Sequence, residues 1–280
     1  MNGRGRMSIR RPVSIAGVGL HTGADATLTF RPAEAGQGVA FRRVDLADTL
    51  PIPALAAAVK TADRRTVLGN GDVSVDTVEH VLAAVAAHEI DDLWIDVDGA
   101  EVPILDGSAA PFFDLLEGAA IVCVGGEVRT FSISTTLSVR GGEAEYRVTP
   151  GSNTVTVTVD WDHPCIGKMT GSFQRAPGVF AESLAAARTF GFLHELDELR
   201  ARGLIKGAHP ACAVVLSRTE VVTGALRWPD EFVRHKVVDL IGDLALLGGR
   251  LDGTIEAVKP SHCGNVALVR AILDHNSTGA

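Results

Sequence analysis

Residues 232–247 constrain this chain more than any other stretch, because they read as one apolar helix crossed by a row of ionisable groups. His235, Asp239 and Asp243 recur every four residues, a spacing that stacks side chains on one face of an α-helix. Val237, Val238, Leu240, Ile241 and Leu244 flank the row and belong in a core. Charge in such a place must be paired or bound to a metal. An imidazole one turn from a carboxylate offers a divalent cation two ligands, with a third expected from elsewhere in the chain.

The rest of the sequence narrows the setting. With 280 residues and 46% hydrophobic content the chain can bury a large core, in one large or two modest domains; two compact domains are expected. A net charge of −8 leaves no basic footprint, which argues against nucleic acid or an anionic membrane as a general partner. Cys123, Cys165, Cys212 and Cys263 are widely spaced, without a C-x-x-C pair, so a reducing cytoplasm is expected rather than a disulfide framework. Residues 1–11 are basic but lack the apolar region of a secretory signal. The apolar runs are broken well before the length of a membrane span, and no fixed-period repeat is legible.

Alternation and glycine punctuation predict short strands and turns over 13–41 and a strand at 93–98. Between them 76–87 reads as a helix, and 112–117 as a short one. Gly125 and Gly126 mark a boundary between halves. The second half opens with strands at 130–140, 143–149 and 154–161. Helices follow at 180–188, 194–202, 232–247 and 265–273, with strands at 212–216 and 255–258. Runs of strands followed by helices predict an α+β fold with layers in each half, not a doubly wound parallel sheet.

The helix over 76–87 carries Glu79 and His80 side by side in an otherwise apolar segment. If His80 is the third ligand, His80, His235 and Asp239 leave a fourth zinc position for water, the pattern of a catalytic site, and Glu79 stands where a general base is needed. Glu79 also stands three residues after Asp76, where it would complete a capping box, and a lone histidine on a helix is often structural. On the residues alone both readings stand.

Five blocks in order carry a resemblance: Gly17-Val-Gly-Leu-His-Thr-Gly23, Thr77-Val-Glu-His80, Pro103-Ile-Leu-Asp-Gly-Ser-Ala-Ala-Pro-Phe112, Ala187-Arg-Thr-Phe-Gly-Phe192 and Glu231-Phe-Val-Arg-His-Lys-Val-Val-Asp-Leu-Ile-Gly-Asp243. Over nearly its whole length the chain resembles the UDP-3-O-acyl-N-acetylglucosamine deacetylases, zinc amidases of lipid A synthesis. The resemblance implies two similar α+β domains with the site between them. The expected limits are 1–126, carrying Glu79 and His80, and 127–280, carrying His235, Asp239 and His262, with an insert for the acyl chain at about 165–192.

It also implies roles. His80, His235 and Asp239 would hold zinc, although ferrous iron also suits two imidazoles and a carboxylate. Glu79 would be the base, Thr189 and Lys236 would meet the oxyanion, and His262 would be the acid, oriented by Asp243. Phe180, Leu184, Phe190 and Phe192 would line the acyl passage, Trp161 would stack on uracil, and Lys259 would meet the diphosphate. The implied partner is a nucleotide-sugar lipid precursor, met by a cytoplasmic monomer without stable membrane insertion. Two other readings stay open: the same amidase chemistry on another acylated amino sugar, and a non-catalytic protein that binds metal and nucleotide sugar. The chain departs from the family pattern at Gly207-Ala-His209, at Pro260-Ser261 before His262, and at Gly264.

Overall fold

A computed structural model describes residues 5–278; residues 1–4 and 279–280, the outer limits of the two expected domains, lie outside the described residues. The helices are α1 (Glu79–Ala87), α2 (Ala110–Glu117), α3 (Pro177–Ser183), α4 (Leu196–Ala201), α5 (Glu231–Leu244) and α6 (His262–Thr278). Two five-stranded sheets accompany them. The first has the spatial order Val13–Val18, Asp25–Pro32, Leu93–Val97, Val39–Arg43, Ile52–Pro53. The second has the order Leu137–Gly141, Ala144–Thr149, Thr254–Val258, Thr154–Trp161, Gly167–Gln174.

The two sheets are wired alike. In each, the last strand in sequence enters the middle, antiparallel to the second strand and parallel to the third. A parallel neighbour cannot be reached by a hairpin and needs a crossover. In the first half the crossover includes α1, in the second α5, so these helices are counterparts. The mixed α+β architecture expected from the sequence is the one found, in two sheet-rich halves that repeat a plan the sequence does not display as a repeat.

The helices join the halves: α1 packs on α5, α2 on α1 and the first sheet, and α6 on α5 and the second sheet. Val81, Leu82, Val85, Phe112, Phe232, Val237, Leu240 and Leu268 are buried there, each contributing roughly 1.5–3 kcal/mol as a fully buried side chain. Gly242 sets how closely α1 and α5 approach. A Cβ at that position would stand 2.1 Å from the carbonyl oxygen of Glu79, so only glycine lets the start of α1 rest on the backbone of α5.

Several boundaries differ from the sequence reading. The helix expected from residue 76 starts at Glu79, because Val73–Asp76 is a strand and Thr77 turns the chain with a φ of 62°. The expected 232–247 helix ends at Leu244 and tightens into a 3₁₀ turn, Ala245–Leu247, closed by left-handed Gly248. The last helix begins at His262, three residues earlier than expected. In the segment 165–192, Gly167–Gln174 is an edge strand of the second sheet, α3 follows, and Phe190–Phe192 pairs in parallel with Val214–Leu216. Among the described residues no helix is long and apolar enough to cross a membrane.

Candidate active site

Glu79 and His80 form the first turn of α1, and the turn at Thr77 delivers them to the side of α5. No capping box forms. Val78 caps the helix without a side-chain hydrogen bond, Asp76 pairs instead with Arg65 at 2.9 Å, and the Glu79 carboxylate accepts the backbone N–H of Thr66 at 3.0 Å. The α5 helix supplies His235 and Asp239 from successive turns, as the four-residue spacing requires.

His80, His235 and Asp239 each offer a ligand atom within 4.8 Å of the others, and all three are buried. Asp239 Oδ1 stands 3.2 Å from His235 Nε2 and 3.8 Å from His80 Nε2. The other nitrogen of His235, Nδ1, is 3.0 Å from the carbonyl oxygen of Ala187. That carbonyl can only accept, so Nδ1 carries the hydrogen and Nε2 presents its lone pair to the cluster. Asp239 Oδ1 is buried and has no hydrogen-bond partner, and a buried carboxylate oxygen left this way is costly. Two imidazoles and a carboxylate converging on an unpartnered oxygen fit a divalent cation. The second carboxylate oxygen of Asp239 accepts Lys236 Nζ at 2.7 Å.

Beside this triangle runs a chain of buried, hydrogen-bonded polar side chains. His262 Nδ1 is 2.8 Å from Asp243 Oδ2, and its Nε2 is 4.0 Å from Glu79 Oε1 and 3.8 Å from Asp239 Oδ2. Asp243 Oδ1 accepts the hydroxyl of Thr66 at 2.5 Å, and Oδ2 also accepts Asn265 Nδ2 at 2.8 Å. Tyr146 donates to Asn265 Oδ1 at 2.8 Å, which fixes the amide. The departures near His262 have a structural account. Ser261 Oγ accepts the N–H of Gly264 at 3.2 Å and so caps α6, and a Cβ on Gly264 would stand 2.5 Å from the Tyr146 hydroxyl.

Burial sets much of the electrostatics. It pushes the Glu79 carboxyl up to about 7; His262 opposes the rise, while Asp243 and Asp239 add to it. Burial works against a charged His262, but Asp243, Asp239 and Glu79 outweigh it and hold the imidazolium to about 9. Burial, then His235, lowers His80 to about 3, and burial also lowers His235. Burial alone would raise Asp239, yet His235, Lys236, His262 and His80 together hold it well below the usual carboxylate range. At neutral pH the arrangement therefore presents two neutral imidazoles, an ionised Asp239, a charged His262 and a Glu79 poised to exchange a proton.

The remaining expected residues divide. Thr189 is half-buried, two residues beyond Ala187, and its backbone is tied to Gly107 and Val214. The ring of Phe190 lies 6.2 Å from that of His235 and 5.2 Å from Trp161, and Phe192 continues from Phe190. Lys259, half-exposed, follows the central strand Thr254–Val258 and lies 3.7 Å from Glu143. Phe180 and Leu184 are not brought to the cluster: they line a different cavity, described below. Sequence reasoning missed Thr66, which holds Glu79 through its backbone and Asp243 through its hydroxyl, and Glu231. The buried Glu231 at the start of α5 accepts Arg188 Nε at 2.8 Å, beside Thr189. Glu231 lies inside one of the five quoted blocks and was findable there; Thr66 lies in none.

Comparison with known proteins places this geometry. The family model described as UDP-3-O-acyl N-acetylglycosamine deacetylase matches residues 6–274. A UDP-3-O-acyl-N-acetylglucosamine deacetylase of Myxococcus xanthus is 40% identical over 272 residues, 96% of this chain and 87% of the relative. Proteins of the same description from Citrifermentans bemidjiense and Teredinibacter turnerae are 38% and 40% identical, over 96% and 95% of this chain and 88% and 89% of their own lengths.

Proposed function

Because this chain belongs to the UDP-3-O-acyl N-acetylglycosamine deacetylase family, and is thus a hydrolytic deacetylase, we propose that the buried cluster is its active site and that its substrate is UDP-3-O-acyl-N-acetylglucosamine. The reaction yields acetate and the free amine, a step of lipid A synthesis as the resemblance implies. His80, His235 and Asp239 would hold the cation, zinc by analogy with the family and ferrous iron by the same donor set. When bound, such an ion polarises the amide carbonyl and acidifies water.

The chain's own residues account for the proton movements. Glu79 takes a proton from the water that attacks the carbonyl carbon. The Thr189 hydroxyl donates to the oxyanion that forms, and Lys236 adds positive charge nearby. His262, kept protonated by Asp243, gives its proton to the departing amine nitrogen as the carbon–nitrogen bond breaks. Phe190 and Phe192 would meet the acyl chain, Trp161 the uracil ring and Lys259 the diphosphate. All four cysteines are free thiols, which supports a reducing cytoplasm as the working compartment, and the family resemblance supports a monomer.

The observation that carries the reading is the convergence of His80 from α1 with His235 and Asp239 from α5 on an unpartnered carboxylate oxygen. The test is acetate release from the named substrate by metal-loaded protein. Glu79→Ala should slow turnover by about 10²–10⁴-fold, the usual contribution of a general base, while metal content stays at the wild-type level. Full turnover in that variant would remove Glu79 from the mechanism.

A further inference from the structure

Helices α1 and α5 also line a cavity of about 450 Å³ whose lining contains none of the proposed metal, base or acid residues. Its floor is apolar, made by Leu82 and Val85 of α1, Ile241 and Leu244 of α5, and Phe180 and Leu184 from α3 and its end. The volume lies in the range of about 300–1,000 Å³ that small-molecule sites occupy.

The charged part of the lining is mostly cationic, with Arg6, Arg129, Arg175 and Arg250 set against Glu89 and Asp91, in a chain whose net charge is −8. Two of the arginines are answered by carboxylates: Arg6 pairs with Asp92 at 2.7 Å and Arg250 with Asp91 at 3.0 Å. The other two have no carboxylate within salt-bridge distance, although Asp252 acts on Arg175 from farther off. Arg175 donates from Nη2 to neutral oxygens, Asn153 Oδ1 at 2.8 Å, Leu251 O at 3.0 Å and Gly253 O at 2.7 Å. Arg129 is exposed and stands over the Phe131 ring at 4.5 Å. Burial lowers the Arg175 guanidinium to about 10. The described residues contain three buried side-chain nitrogens or oxygens without a hydrogen-bond partner: Asp239 Oδ1 at the candidate metal site, and the Nε atoms of Arg175 and Arg250 here.

A half-buried guanidinium with no paired carboxylate and an unpartnered Nε is costly, and an anion beside it offsets that cost with charge-assisted hydrogen bonds. An inorganic anion would leave the apolar floor uncovered, and a neutral hydrocarbon would leave Arg175 and Arg129 unanswered. We propose that this cavity binds a single-chain anionic amphiphile, an acyl chain headed by a carboxylate or a phosphate, with the chain on the α1, α3 and α5 floor and the head at Arg175 and Arg129. The site is separate from the proposed acyl passage at Phe190 and Phe192, and it does not rest on the deacetylase reading.

Calorimetric titration of the full chain with decanoate, decyl phosphate and decanol, each kept below its aggregation limit, tests this. Decanoate, decyl phosphate or both should bind at least about tenfold more tightly than decanol, a gap of about 1.4 kcal/mol; the tighter acid identifies the head group. Ala86→Trp, which fills the cavity from a half-exposed position on α1, should abolish this binding while the circular dichroism spectrum stays that of the wild type. Arg129→Glu, a surface change that keeps the test available if the tryptophan variant does not fold, should weaken the acids and leave decanol unaffected. Equal binding of decanol and the acids, no binding of either acid, or acid binding unaltered in Ala86→Trp or in Arg129→Glu would overturn the proposal.

Discussion

In the N-terminal half, the helix that leads into the central strand is nine residues long and brings its ionisable pair, Glu79 and His80, in its first turn. Its counterpart α5 is fourteen residues long and carries His235, Asp239 and Asp243 down three successive turns. The same scaffold thus delivers chemistry in two ways. On α5 the side chains are aligned by the helix's own period, so on the proposed roles the loss of one should cost chemistry and leave the others in place. On α1 they are placed by the Thr77 turn and by backbone contact with Gly242, so they depend on how the helices are seated.

The contrast can be broken first on the α5 side. His235→Ala removes a proposed ligand and should cost more than the roughly 10–100-fold in metal affinity or activity that loss of an outer partner costs; metal analysis after gel filtration reads it directly. Asp243→Asn should fall within that 10–100-fold range with metal retained. It should also move the alkaline limb of the rate profile. With His262 as the proposed acid, turnover should fall as pH rises through the His262 value, about 9 without a cation and lower with one bound; without the Asp243 charge that value drops further, and the fall begins nearer neutrality. The acidic limb should report Glu79, the proposed base, active once deprotonated, and a bound cation would draw its value below the about 7 found without one.

The α1 side should respond through stability. Gly242→Ala forces α1 off α5 and should cost about 1–3 kcal/mol, as overpacked cores do, with metal affinity falling in step because His80 moves; denaturant unfolding with and without chelator separates the two. Thr66→Val should show the smallest effect. The backbone N–H that holds Glu79 survives, and loss of the hydroxyl to Asp243 should cost about 1 kcal/mol, with the alkaline limb shifting less than in Asp243→Asn.

What could be read from the sequence follows the same division. The α5 row was legible because periodicity alone aligns it, and the strand Thr154–Trp161 because its Thr-Val alternation matches a half-buried face. The start of α1 was not: Asp76 and Glu79 have capping-box spacing, but a left-handed threonine between them sends one to a strand and the other to the cluster. Thr66 carried no signal, since its role depends on contact with residues 177 and 196 positions away. The repeat of the two sheets was invisible because strand order is conserved between halves while the residues that build them are not. Phe180 and Leu184 read as apolar and buried, which is true of them, but no pattern in the sequence says which part of the interior a buried side chain will line.

On the proposed assignment, the ion is a fastener between the halves, with one strap from the first and two from the second. A chain severed between the sheets would then be an inert pair of pieces until they reassembled, and metal occupancy would gauge how well the seam is closed. Drift along that seam, wherever in the molecule it begins, would be felt first as a loosened grip on the cation.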